Sequence, residues 1–122
     1  MHDKEGFMYM GLYLNPGSRA FEISVNDDIY VDKSGLISFT NSRIDKQSRF
    51  LCVSRPRRFG KSMVAGMLQA YYDKSAHSDF LFKNLGISRD ASYKKHLNKY
   101  DVIYLDIQQI LEDAGGLECF IY

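Results

Sequence analysis

An α/β fold is what this sequence predicts, and three observations point there. An apolar run, Phe50-Leu51-Cys52-Val53, leads into a basic turn that contains one glycine. That turn opens a helical pattern running from Lys61 to Tyr72. A second apolar run, Val102-Ile103-Tyr104-Leu105, follows after a connection long enough to cross back over a sheet. Two strands joined in this way make a parallel, right-handed βαβ unit. The expected architecture is thus a partial parallel sheet with an N-terminal extended arm and helix.

The elements can be justified in chain order. Asn15-Pro16-Gly17-Ser18 is a turn signal, and residues 1–11 before it read as a mobile extension. Residues 12–122 read as the domain proper. Residues 20–26 alternate Phe21, Ile23 and Val25 with polar positions, which predicts a short strand or extended arm. Asn26-Asp27-Asp28 turns the chain, and residues 29–32 are a brief extended piece. Residues 33–44 place Leu36, Ile37, Phe39 and Ile44 at helical spacing, with Asp32 as the cap and Lys33 as surface charge.

Residues 50–54 are apolar on both faces, as in the middle of a parallel sheet, with Cys52 a small buried hydrophobe. The helix from Lys61 carries Met63, Val64, Met67, Leu68, Tyr71 and Tyr72 on one wide stripe, which makes the two tyrosines packing residues. Residues 78–85 predict a helical turn with Phe80 and Phe82 packed inward. Residues 90–99 read as a helix capped by Asp90 or Ser92. Residues 102–107 are the second strand, and residues 108–113 begin a helix stopped by Gly115-Gly116.

Composition narrows the function classes. The 122 residues suffice for one modest domain, and nine tyrosines with eight phenylalanines predict an aromatic-rich core. The net charge of +1 gives no global drive toward nucleic acid, and no recognition module for it is visible. Basic charge is local: Arg49, Arg55, Arg57, Arg58 and Lys61 follow one another with no acidic residue between them. No apolar run is long enough to cross a membrane, and no signal-peptide core is present, so the cytoplasm is the expected compartment. His2, His77 and His96 lack metal-ligand spacing and are expected in solvent. Cys52 and Cys119 lie far apart, and no disulfide is expected between them.

The chemistry concentrates in Arg55-Pro56-Arg57-Arg58-Phe59-Gly60-Lys61-Ser62-Met63. Strand, glycine-containing turn with Gly-Lys-Ser, then helix is the layout of a phosphate-binding P-loop. Such a turn points several backbone N–H groups at one spot, and the helix start adds positive dipole character. The candidate nucleotide-binding residues are therefore Arg57, Arg58, Phe59, Gly60, Lys61, Ser62 and Met63. Lys61 would reach the outer phosphates of ATP, and the Ser62 hydroxyl would ligate Mg²⁺. The two arginines suit phosphate by their planar forks, or form a solvated basic turn. Where the usual pattern opens with glycine, this chain has Arg55, and Pro56 has no N–H to donate.

Further segments share this order. Tyr13-Leu14-Asn15-Pro16-Gly17 comes first, then Tyr30-Val31-Asp32-Lys33-Ser34-Gly35-Leu36-Ile37, then Val53-Ser54-Arg55-Pro56-Arg57-Arg58-Phe59-Gly60-Lys61-Ser62. Together they resemble the AAA-ATPase-like family of bacterial proteins, which carries a "YVDKTGLI"-type segment before an "SRPRRFGKS" phosphate loop. In that family arginine is usual at the position of Arg55, and the resemblance of Asp32 and Lys33 to its "VDK" segment offers an adenine or phosphate contact as the alternative to a cap and surface charge. The resemblance implies an ATP-binding module that hydrolyses ATP poorly on its own. It places residues 102–106 at the strand following the loop's helix, with the acidic "IDEYD"-type strand later. No such pair follows an apolar run here, so catalytic competence stays open and the domain is expected to be truncated. Asp106 is the alternative metal ligand, at a strand's carboxyl end.

A partial sheet leaves edges open, which calls for a protein partner, self-association or a folded-over tail. The alternative function is accordingly a short interaction or inhibitor module that docks on a larger partner.

Overall fold

The computed structural model of the chain describes residues 17–54, 56 and 60–113. These fall into two units. Residues 17–101 make one; the other comprises Met1–Pro16 and Val102–Tyr122, of which residues 102–113 are described. The larger unit carries helix α1 (Arg19–Val25), α2 (Gly35–Asn41), a 3-10 turn at Gln47–Arg49, and α3 (Lys61–Tyr72). It continues with the single turn α4 (Asp79–Phe82), a second 3-10 turn at Gly86–Arg89, and the single turn α5 (Tyr93–His96). In the smaller unit residues 107–113 form α6 (Ile107–Asp113).

Helix α3 has the bounds its periodicity predicts, and it organises the larger unit. Met67, Ala70 and Tyr71 are fully buried, and Met63, Val64, Leu68 and Tyr72 pack around them. Phe21 from α1, Ile37 from α2, Leu81 and Phe82 from α4, and Leu85, Ile87, Tyr93 and Leu97 complete the core. The core is aromatic, as the composition predicts: Phe21 stacks on Phe82 with centroids 5.3 Å apart, and Tyr71 meets Phe82 edge-on at 5.6 Å. Helix α1 approaches α3 closely at Gly66, where a side chain would touch the Cβ of Phe21 at 3.9 Å.

The predicted α/β fold is overturned. Among the described residues there is no sheet, and the parallel βαβ unit is absent. Residues 50–54 have no regular secondary structure and are exposed, with Phe50 at 81% and Val53 at 52%, and Cys52 is a free, exposed thiol rather than a buried one. Residues 102–105 form no strand either, and Ile103 is 80% exposed. A parallel strand needs a hydrogen-bonded neighbour and apolar cover on both faces. Residues 50–54 pair with no strand among the described residues, and of residues 102–105 only Leu105 takes part in an isolated bridge. Within the larger unit Asp73 and Tyr100 form an isolated parallel bridge, where Lys74 donates to the Tyr100 carbonyl and Tyr100 donates to the Tyr72 carbonyl.

Four local expectations also change. Residues 20–26 are helical rather than extended, since Phe21 and Val25, four apart, turn inward while Ile23 stays 59% exposed. In α4, Phe82 is buried but Phe80 is exposed, and Leu81 takes the inward place. The helix predicted over residues 90–99 shrinks to one turn, because Asn98 turns left-handed with φ 53. His96 is buried rather than solvated, with its Nδ1 2.6 Å from the Tyr100 hydroxyl.

Buried polar groups tie the helices together. Asn98 donates its side-chain amide to the carbonyls of Ala70, Tyr71 and Asp73, and its oxygen accepts from the Ser78 amide at 3.0 Å. Asn98 thereby satisfies the last carbonyls of α3 from outside the helix. Asn41 of α2 donates to the Tyr71 hydroxyl and accepts from the Tyr72 hydroxyl, and Tyr71 donates to the Tyr93 carbonyl at 2.7 Å. These groups are matched in this way; among the described residues the buried Tyr30 hydroxyl and the Gln69 side-chain oxygen are left without a partner.

Candidate functional site

Of the residues singled out from sequence, Gly60, Lys61, Ser62 and Met63 stand at the start of α3. Gly60 is the N-cap, held left-handed at φ 78 and ψ 27. That conformation favours glycine, and glycine brings no side chain to cap the helix. The first-turn amides of Lys61, Ser62 and Met63 have no carbonyl a turn earlier within the helix to bond. They carry the positive end of the twelve-residue α3. The side chains of Lys61 and Ser62 are exposed, while Met63 packs against the core and fixes the first turn. Arg57, Arg58 and Phe59, with Arg55, lie outside the described residues; Pro56 is exposed.

A second segment reaches the same place. A Cβ built on Gly60 would lie 2.8 Å from the Lys33 Nζ, so the Lys33 ammonium sits against the glycine that opens α3. The residues flanking Lys33 are pinned. Asp32 accepts from the Ser34 amide at 2.8 Å and from the Gly86 amide at 2.7 Å. Ser34, fully buried, accepts from the Ile87 amide at 3.1 Å through its hydroxyl. Burial works against the charge of Asp32, but the hydrogen bonds from Ser34 and Gly86 outweigh it and hold its pKa below the usual carboxylate value. Sequence reading prefers a helix cap for Asp32 and surface charge for Lys33 over an adenine or phosphate contact. In the structure Asp32 is a brace to the second 3-10 turn, and Lys33 is half-buried at the start of α3. The signal that could have revealed this was the alternation in Asp32-Lys33-Ser34, with two short hydrogen-bonding side chains around one long cation.

Beside this meeting point a cleft of about 320 Å³ is lined by Ser24, Asp27, Ile29, Tyr30, Val31, Lys33 and Met63. Its lining mixes apolar and aromatic side chains (Ile29, Tyr30, Val31, Met63) with polar ones (Ser24, Asp27, Lys33). Burial, followed by the negative charge of Asp32, pushes the Tyr30 hydroxyl above its usual pKa, so it stays protonated and uncharged. The arrangement can therefore accept an anion at the helix start and a flat or apolar group in the adjoining cleft.

Asp106 plays a different part. Its carboxylate accepts from the Gln109 amide at 3.0 Å, and its carbonyl accepts from the Ile110 amide, which makes it the cap of α6. Among the described residues no three of His, Cys, Asp or Glu cluster as a metal site would require.

Comparison with known families decides the lineage. Residues 17–118 match the family model of AAA-ATPase-like proteins, described as predicted AAA-ATPases. The chain belongs to the AAA-ATPase-like family. The matched span contains both Asp32-Lys33-Ser34 and Gly60-Lys61-Ser62 of this AAA-ATPase-like chain. No curated protein and no solved structure matches it. Among the described residues, no helix is long and apolar enough to cross a membrane.

Proposed function

We propose that this chain binds ATP with Mg²⁺ at the start of α3. The observation that carries the reading is Gly60. It is a left-handed, side-chain-free cap, and the amides of Lys61, Ser62 and Met63 that follow it have no partner carbonyl within the helix, inside a span matched by an ATPase family. Lys61 supplies charge to the outer phosphates. The Ser62 hydroxyl contributes one ligand to Mg²⁺, with phosphate oxygens and water as the others. Arg57, Arg58 and Phe59 lie immediately before this turn in sequence, and the two arginines add charge to the same anion.

The cleft beside Lys33 and Met63 receives the nucleoside, whose base finds Tyr30, Ile29 and Val31 as an apolar surface and Asp27 and Ser24 as polar partners. Mg²⁺ here would neutralise phosphate charge; no acidic cluster among the described residues holds it independently. The function is thus nucleotide binding, with hydrolysis weak in the isolated chain.

Isothermal titration with Mg-ATP tests this. Lys61→Ala should weaken binding by about 10- to 100-fold, the value of one charge-assisted contact of roughly 1.5–3 kcal/mol. Equal affinity in the two proteins, or no binding by either, refutes the reading.

A further inference from the structure

We infer that Lys33 is a second phosphate-binding cation of this site, and that Asp32 is the residue that positions it. The inference rests on the nucleotide-binding reading above and extends it to residues well upstream of the loop.

Three observations meet at Lys33. Its ammonium lies against Gly60, where a Cβ would come within 2.8 Å of it. Neither neighbour in the chain is free to move. Asp32 is bonded to the Gly86 amide, and Ser34, fully buried, to the Ile87 amide. These two amides are consecutive and open the 3-10 turn Gly86–Arg89, so residues 32 and 34 grip one short rigid element while residue 33 lies between them. Lys33 also lines the cleft that adjoins the helix start, together with Met63 of the first turn of α3. A lysine stem ordinarily loses much rotamer freedom when its charge is fixed at one point. Pinning the backbone on both sides removes part of that cost before a ligand arrives.

The chemistry follows from placement. A polyphosphate at the amides of Lys61, Ser62 and Met63 would meet Lys61 from the helix and Lys33 from the segment before α2. Two ammonium groups on different segments can contact different oxygens of one chain of phosphates. Lys33 would also join the nucleoside cleft to the phosphate end, since it belongs to both. Asp32 touches no ligand in this arrangement. Its effect on binding passes through Lys33, and its carboxylate accepts from the amides of Ser34 and Gly86.

The test uses the full chain, with Mg-ATP and inorganic tripolyphosphate as probes. Lys33→Met keeps the length of the stem and removes the charge; Lys33→Gln is the second variant should the first fail to fold. Either should weaken ATP and tripolyphosphate alike, by about tenfold or more. Lys33→Arg should restore most of the affinity for both. Asp32→Asn should weaken both in the same direction, and combining it with Lys33→Met should add little, because the two act through one group.

Wild-type affinity for both probes in Lys33→Met, with Lys61→Ala still impaired, overturns the role of Lys33 and leaves the nucleotide reading intact. A loss confined to ATP and not mirrored by tripolyphosphate also overturns it, since Lys33 would then act on the nucleoside. Full additivity of the Asp32 and Lys33 changes overturns the positioning role of Asp32. Absence of ATP binding in the wild-type chain removes both inferences together.

Discussion

At the scale of single residues, the strongest determinants are polar side chains that sequence reading passes over. Asn98 is the clearest. It adopts the left-handed conformation that asparagine tolerates better than most residues. From there it serves the carbonyls at the end of α3 and the Ser78 amide together. Asn98→Ala leaves those groups without partners and adds backbone strain, so a loss of about 3 kcal/mol is expected by chemical denaturation. Asn98→Gly, which relieves the strain but not the lost bonds, should fall between the two.

Nothing in the residues around Asn98 marks it, because its partners lie 20 to 28 positions earlier. Lys33 is marked by its family-like segment but not placed by it, since its surroundings come from Gly60 and, through its neighbours, from Gly86. Gly60, Lys61 and Ser62 were legible because the feature they form is local, a turn that becomes a helix within three residues.

At the scale of elements, legibility tracks the length of the repeat. Helix α3 has twelve residues and three turns of apolar positions, and its bounds follow directly. Shorter stretches fit more than one period. Phe21, Ile23 and Val25 satisfy strand alternation, yet four-residue spacing wins because Phe21 can stack on Phe82. The apolar runs at residues 50–54 and 102–105 resemble buried strands, but a run of that length carries no information about whether a neighbour exists to pair with it.

The single turn α4 gives a direct check on the corrected orientation. Phe82 is buried and holds Phe21 and Tyr71, so Phe82→Ala should cost about 3–5 kcal/mol. Phe80 is exposed, and Phe80→Ala should change stability by no more than about 0.5 kcal/mol. Urea unfolding of the two variants reads this difference, and a large loss at Phe80 would reverse the assignment of the inward face.

At the scale of the whole molecule, titration is the accessible handle. Burial, and then the charge of Lys95, hold the His96 pKa below its ordinary 6.5, with Asp45 opposing them. The unfolded chain therefore takes up a proton that the folded chain resists. The His96 contribution is complete above pH 6.5 and is lost as the pH falls through the lower folded value. A second limb begins below 3.8 and extends downward. There Asp79, held down by Lys94 and Tyr93, and Asp90, held at about 2 by Ser38 and Ser92, become protonated. Thermal melting against pH should show both limbs, and His96→Gln should erase the upper one while leaving the lower.

Residues 50–54 have a practical consequence of their own. They are exposed and carry no regular secondary structure, and they make no backbone–backbone hydrogen bond among the described residues. Open backbone of this kind is complementary to other unpaired backbone, including its own copy on another molecule. Val53→Lys should therefore raise the protein concentration at which light scattering sets in, without touching the helices.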